Sequence, residues 1–229
     1  HGRAVALHEQ EKPYVSSDTP QRILVPLSNP QTSDLLMELS VLLHAPSSEE
    51  PIYPATVARE GSPAQVAEGE ELLSRAVLHA AASEVHVVPI TRVDLNNAQG
   101  ITRAITEERI STVVVGWYGK SSARDLIFGS VLDQILDDTR EMIIVSKIER
   151  PIATHQRLLL AVPPFAERES GFADAVRAMK VLCERAGLAL MLLCTEDAQE
   201  AVTTRVEQAA PQVPVQGTPM PQWGDLVAT

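Results

Sequence analysis

The stretch that decides the fold is Val113-Val114-Val115-Gly116-Trp117-Tyr118-Gly119, followed after nine residues by Gly129-Ser130-Val131. The apolar run predicts a buried strand that ends at Gly116. Gly116 and Gly119 allow positive φ and let the backbone approach a ligand closely. Gly129 and Ser130 open the next predicted helix, whose free N–H groups and positive dipole end favour an anion. The pattern therefore predicts a phosphate-type site between this strand and this helix.

Polar and aromatic side chains inside the loop leave several roles open. Lys120 and Arg124 add positive charges that could meet a phosphate. The Ser130 hydroxyl could cap the helix or bond a phosphate oxygen. Trp117 and Tyr118 fit first a packed or exposed loop aromatic; the functional alternative is a wall for base stacking or a dimer contact.

Short apolar strands alternate with amphipathic helices around this segment. Strands are predicted at 22–27, 52–57, 85–90, 112–116 and 142–146. Helices are predicted from Thr32 or Ser33 to Leu43, and at 64–82, 98–109 and 130–138. This alternation indicates an α/β fold with a doubly wound parallel five-stranded sheet and helices on both faces.

A second, partial copy of the same pattern follows. Residues 156–163 echo 21–26 with an insertion, and a helix (171–186), a strand (188–194) and a helix (197–209) come next. We therefore expect an internal duplication. The predicted division is 1–20 as a linker or the tail of a preceding segment, 21–148 as the domain with the glycine loop, and 156–229 as a degenerate or truncated second domain.

Composition limits the classes of function. The formal net charge of −11 argues against a nucleic-acid or anionic-membrane surface, because both need clustered Lys and Arg. Cys183 and Cys194 have no metal-ligand spacing, so we expect two reduced core thiols. No apolar run approaches the roughly 18 residues of a membrane span. These features predict a soluble, cytoplasmic protein, and the six scattered histidines indicate no metal or catalytic site.

The glycine spacing resembles the ATP-binding loop of the universal stress protein A family, in its nucleotide-binding branch, and Ile23-Leu24-Val25-Pro26 resembles that family's first strand. The resemblance implies an adenine nucleotide alpha-hydrolase-like fold. It also implies a bound ATP or other adenine nucleotide; cyclic di-AMP is a further candidate. The nucleotide-binding residues that it implies are Ser28, Val57, Val115, Gly116, Gly119, Lys120, Gly129, Ser130 and Val131. The acidic residues of the helix after the loop fit a solvated helix face, and Asp133 or Asp137 would also lie within reach of a bound Mg²⁺.

Two positions depart from the family pattern. The family usually carries an Asp just after the Val-Pro of its first strand, where it helps to hold the adenosine part, and this chain has Ser28. A hydroxyl lacks the charge and the second oxygen of a carboxylate, so affinity or base preference can differ. In the second copy Pro163-Pro164 occupies the corresponding turn, and we expect no nucleotide there.

The tandem layout, with residues 6–14 ahead of the first strand, is similar to the cytosolic tail of bacterial cation/proton antiporters. That resemblance implies that the chain is part of a longer protein, in which a transmembrane transporter domain precedes paired stress-protein domains at the cytosolic face of the inner membrane.

Three hypotheses of function follow, and none of them is excluded by the sequence. The first is a nucleotide sensor that regulates an attached transporter. The second is a structural homodimerisation module, or a stand-alone stress protein, with 142–146 as the contact strand. A hydrolase of ATP ranks last, because no residue stands out for activating water. We therefore expect no enzyme.

Overall fold

Two parallel sheets follow one another along the chain in the computed structural model, which describes residues 20–59, 62–117 and 130–220. The first half contains β1 (Ile23–Pro26), α1 (Ser33–Leu43), β2 (Ile52–Arg59), α2 (Pro63–Ala81), β3 (Ile90–Asp94), α3 (Asn97–Glu107), β4 (Thr112–Gly116), α4 (Ser130–Asp138) and β5 (Met142–Ser146). The second half contains β6 (Arg157–Ala161), α5 (Phe172–Ala186), β7 (Ala189–Thr195), α6 (Gln199–Gln208) and β8 (Val215–Met220).

The first sheet has five parallel strands in the order β3-β2-β1-β4-β5. Alternate residues of its central strands face opposite helix layers, as expected of strands buried on both sides. Ile23 and Val25 pack towards α1 and α2, whereas Leu24 packs towards α3 and α4. The predicted doubly wound five-stranded sheet is confirmed.

The second sheet has three parallel strands in the order β6-β7-β8. Its buried residues, including Leu190, Leu192 and Cys194, form one core with α5 and α6. Leu159, in the middle of β6, is 53% exposed. The predicted partial second copy of a parallel α/β sheet is therefore present; its origin by duplication stays a prediction.

The two halves share a hydrophobic contact between α1 and α5. Ala178 and Leu182 of α5 belong to the same buried cluster as Leu39 and Leu43 of α1. Burial of apolar surface is the main favourable term in such packing. The second half therefore rests on the α1 side of the first sheet.

The predicted strand at 85–90 is wrong in position. The strand β3 runs from Ile90 to Asp94, and residues before it contribute only an isolated bridge between Val87 and Ile52. Pro89 has no N–H to donate to a ladder, so the regular pairing starts after it. The apolar run 85–88 lies before this proline and led to a predicted strand there. The observed strand β3 lies after the proline and has a weaker apolar pattern, because it is an edge strand with polar residues and an exposed Val93.

The structure shows three smaller features that the sequence analysis does not contain. Thr32 occupies the N-cap of α1 with helical backbone angles and forms no side-chain capping bond. At the start of a different helix, α3, the Asn96 side chain does form a cap: its Oδ1 accepts a hydrogen bond from the N–H of Gln99 at 2.9 Å. The strand β8 was not predicted, because Gly217 and Pro219 lower the strand propensity of an otherwise short segment.

A close approach of α3 to β2 depends on Gly100. A Cβ at this position would lie 2.7 Å from Cγ1 and 2.9 Å from Cγ2 of Val57, distances that no packed carbon atoms tolerate. Val57 lies near the carboxyl end of β2, so this contact fixes the edge of the sheet at which ligands bind in α/β proteins.

We predict that Gly100→Ala lowers the free energy of unfolding by about 1–3 kcal/mol, because the methyl group overpacks the contact with Val57. In an unobstructed helix the same change would raise stability by roughly 0.5–1 kcal/mol. Urea denaturation checks the sign. The exposed neighbour Gln99→Ala serves as the control, and Val57→Ala in the Gly100→Ala background should recover part of the loss. An unchanged or raised stability of Gly100→Ala would contradict the close approach.

Both cysteines are free and buried, as the sequence predicts. Burial raises the pKa of the Cys183 thiol to about 11 and also raises the pKa of the Cys194 thiol. The thiolate is the reactive form, so both groups are protected by protonation as well as by packing.

We therefore expect no reaction of the native protein with Ellman's reagent at pH 8, and the reaction of two thiols per chain in denaturant. Absorbance of the released thionitrobenzoate measures both. Rapid labelling of one thiol under native conditions would show that the core around α5 and β7 opens far more readily than its burial indicates.

Candidate functional site

The candidate site lies where the direction of the chain crossovers reverses. After β1 the chain turns to the α1 layer, and after β4 it turns to the α4 layer on the opposite face. Because β1 and β4 are hydrogen-bonded neighbours, the two connections diverge at their carboxyl ends. In open α/β sheets, ligands bind in the crevice that such a divergence leaves.

The register of the strands brings the predicted residues of three strands to one level. Ile23 is opposite Ile52 of β2 and Thr112 of β4, and both pairings continue in parallel. The hydrogen bond from Leu27 N–H to the Ala55 carbonyl, at 2.8 Å, extends this alignment beyond β1. Continued at the same offsets, the register sets Ser28 level with Val57 and Leu27 level with Gly116.

The described members of the predicted set occupy different environments at this edge. Ser28 is exposed, Val57 is half-buried in the α3 and α4 layer, and Val115 is buried in the same layer. Gly116 ends β4, paired with Ser146 of β5. Val131, in the first turn of α4, is 37% exposed.

The remaining predicted positions cannot be placed in the same way. Gly119, Lys120 and Gly129 lie outside the described residues, as do Tyr118 and Arg124. Ser130 begins α4, and the structure describes only the backbone of this residue. The structure thus places the strand exit and the helix start on either side of the predicted loop, and the anion contact itself stays a prediction.

Two hydrogen bonds fix the exit of β4 against β5. The N–H of Trp117 donates to the Ser146 carbonyl at 2.7 Å, and the Ser146 hydroxyl donates to the Val115 carbonyl at 3.0 Å. The chain is therefore held in strand pairing up to Trp117, and the predicted loop departs from a fixed point.

A cavity of about 190 Å³ opens on the α1 side of this exit. Its lining comes from the first turn of α1, the end of β4 and the segment after β5. Those residues are Thr32, Leu35, Leu36, Gly116, Trp117, Ser146, Lys147, Ile148 and Glu149. Val57 and Val115 face the opposite layer. The edge therefore has an apolar surface on one side of β4 and a cavity on the other, with Gly116 between them.

Charge at the described part of the edge is sparse and balanced. Lys147 and Glu149 form an exposed ion pair at 3.2 Å, and Asp133 adds an acidic group to the first turn of α4. The described residues contain no group of three or more His, Cys, Asp or Glu that could hold a metal ion. An anion bound here would depend on backbone N–H groups and on the loop cations rather than on a basic surface.

Sequence reasoning identified the edge and missed its second wall. It placed Thr32 only at a helix start and did not assign Lys147, Ile148 or Glu149 to the site, yet all four line the cavity beside Gly116. Nothing in their local pattern signals this, because they meet Gly116 only through the pairing of β4 with β5. The Trp117 aromatic was the one available signal.

Among residues 20–59, 62–117 and 130–220, no helix combines the length and the apolar character needed to cross a bilayer.

The fold and its edge define a doubly wound α/β domain with a crevice at the carboxyl ends of its strands. The model of the "Universal stress protein family" matches residues 20–147, and the chain belongs to this family. Family membership, expected from the glycine spacing and the first strand, is confirmed.

A curated relative is the Na(+)/H(+) antiporter NhaS5 of Synechocystis sp. (strain ATCC 27184 / PCC 6803 / Kazusa). It is 25% identical over 148 residues, which make up 61% of this chain and 21% of the antiporter. The chain thus matches about a fifth of that relative's length. The similarity agrees with the predicted resemblance to an antiporter tail.

Two solved structures share the fold over most of the chain. A universal stress protein from Archaeoglobus fulgidus DSM 4304 is 17% identical, with 92% of this chain and 83% of that chain covered and a TM-score of 0.56. A protein described as a universal stress protein from Pseudomonas aeruginosa UCBPP-PA14 is 14% identical, with coverage of 88% and 75% and a TM-score of 0.61. At these identities the likeness concerns the fold alone.

Proposed function

We propose that residues 20–147 form a regulatory domain that binds an adenine nucleotide at the carboxyl edge of the first sheet. ATP and AMP are the first candidates, with or without Mg²⁺, and cyclic di-AMP is the third. Binding alone is the proposed activity, because a ligand that prefers one arrangement of the domain shifts the population without any chemical step. No hydrolysis is part of the proposal.

The observation that carries this proposal is that Gly116 ends β4 beside the reversal between β1 and β4, and that α4 starts at the other end of the loop that leaves Gly116. Without a Cβ, Gly116 leaves the backbone accessible at the strand exit. The first N–H groups of α4 have no acceptor within the helix and would be available to an anion on the same side of the sheet. In this arrangement the loop residues Gly119, Lys120, Gly129 and Ser130 would hold phosphates. Ser28, Val57, Val115 and Val131 would contact the nucleoside.

We further propose that the regulated partner is a cation/proton antiporter in the same protein, with this domain on the cytoplasmic face of the membrane. Support comes from the similarity to part of the sodium/proton antiporter relative. The whole chain, with a formal net charge of −11, would be repelled by anionic lipid headgroups, so this domain would remain free to move beside the membrane.

The second candidate function is a structural homodimerisation module without nucleotide. Two observations favour it: Ser28 stands where the family usually has a carboxylate, and β5 is an edge strand of the sheet among the described residues. An unpaired parallel edge strand can pair with its own copy across a two-fold axis. Val145, on this strand, is 36% exposed.

Titration calorimetry with ATP, ADP, AMP and cyclic di-AMP distinguishes the two functions. We expect at least one of these ligands to bind with a Kd below about 1 mM. Ser130→Ala should weaken that binding roughly tenfold or more, because a hydrogen bond to a charged group contributes about 1.5–3 kcal/mol. Gly119→Val should weaken it to a similar extent, because a side chain would keep the backbone from approaching the phosphate closely. Circular dichroism should stay unchanged.

Matched controls lie far from the proposed site. Ser74→Ala removes an exposed hydroxyl from α2, and Gly217→Val adds a side chain where the nearest atom is 3.9 Å from a Cβ. Both should bind as the unmodified protein does. If none of the four nucleotides binds, and light scattering shows a dimer, the structural module replaces the sensor.

Ser28→Asp tests the position of the ribose. If Ser28 faces the adenosine, the added carboxylate can accept two hydroxyl hydrogen bonds with full charge, and affinity for AMP should rise about five- to tenfold. Ser28→Asn, which is similar in size and uncharged, should change the Kd by less than twofold. Equal affinities of all three proteins would place the ribose elsewhere.

A further inference from the structure

The segment that joins the two halves is attached to α1 by one carboxylate. Glu38 Oε1 accepts from the N–H of Ile152 at 2.9 Å and is 3.4 Å from the N–H of Ala153. These two N–H groups begin the 3-10 turn Ile152–Thr154, so the carboxylate supplies the partner that the first N–H groups of such a turn lack. Glu38 is half-buried, and so partly screened from water.

The same helix carries the second half of the protein. Leu39, next to Glu38 in the chain, shares its buried cluster with Ala178 and Leu182 of α5, and Ile152 packs against that cluster. The position of the joining segment and the packing of α5 are therefore linked through a single turn of α1.

At its other end α1 borders the candidate site. Its first turn forms one wall of the 190 Å³ cavity, and the opposite walls are Gly116 with Trp117 and the residues Ser146 to Glu149. The joining segment thus begins in the wall of the cavity and reaches its attachment at Glu38 within a few residues. A cavity beside a packed helix leaves room for the walls to change their packing without unfolding the core.

We propose that α1 and residues 147–155 form a coupling element, through which nucleotide at the Gly116 edge controls how the second half docks. This inference rests on the proposed function, because it requires a ligand that contacts the strand exit at Gly116. Such a ligand would act on Gly116 and Trp117, hence on the cavity wall that they share with Ser146 to Glu149, and hence on the bonds to Glu38.

Linkage makes the proposal quantitative. The factor by which nucleotide shifts the docking equilibrium equals the factor by which docking changes nucleotide affinity. If nucleotide favours the docked segment, loss of the docked state therefore weakens binding by up to this factor, and the opposite preference strengthens it. Glu38→Ala removes the acceptor. Glu38→Gln keeps an acceptor oxygen at the same position and is the matched control, and Glu71→Ala removes an exposed acid from α2 as a charge control.

The test combines hydrogen exchange with calorimetry on the whole chain. Exchange of the peptide 148–156 is measured with and without saturating ATP, and the Kd of ATP is measured for all variants. We expect ATP to change exchange of this peptide about tenfold or more, so that the coupling exceeds the change in Kd expected of a variant. Glu38→Ala should change the Kd about fivefold or more. The Kd should rise if ATP protects the peptide and fall if ATP exposes it, whereas Glu38→Gln and Glu71→Ala should leave it within twofold.

The outcomes separate the two proposals. If ATP binds, but exchange of 148–156 and the Kd of Glu38→Ala both stay unchanged, the coupling is refuted and the nucleotide site stands. A Kd that changes in the direction opposite to the exchange result also refutes it. If ATP does not bind the unmodified protein, titration of the other three nucleotides repeats the test. Failure of all four overturns the proposed function and the coupling with it.

Discussion

The parallel pairing of β1 with β4 is the constraint on which the rest of the first half depends. Both strands are buried on both faces, and their side chains alternate between two helix layers. Because the chain leaves β1 towards one layer and β4 towards the other, a crevice must open between their carboxyl ends. Together with the pairing of β1 with β2, it brings Ser28, Val57 and Gly116, which are distant in the chain, to the same edge of the sheet.

Helix α1 connects this edge with the second half. Its first turn borders the cavity beside Gly116, its middle holds the joining segment through Glu38, and its buried face packs against α5. One rigid element therefore contacts the site, the segment between the halves and the second core. In a protein that transmits ligand occupancy, such an element is where two states of packing would have to differ.

Much of the fold could be predicted because local pattern and tertiary role agree in it. The run 113–115 is uniformly apolar, and it forms a central strand covered on both sides. The prediction failed at β3, where an apolar run lies before Pro89 and the true edge strand after it is half polar. An edge strand does not need apolar side chains along its whole length, so its composition indicates a strand only weakly. Gly100 gave no signal either, because its role depends on how closely Val57 approaches it.

The sequence by itself determined the class of fold, the glycine loop between β4 and α4, and the family. These properties reside in short segments, where hydrophobic period and glycine spacing act locally. Only the tertiary structure decided that Thr32, Trp117 and Lys147 to Glu149 surround one cavity, and that Glu38 attaches the joining segment to α1. The two contacts of Glu38 join residues 114 and 115 positions apart in the chain. Strand register and helix packing set them, and both depend on the whole core rather than on any one stretch of it.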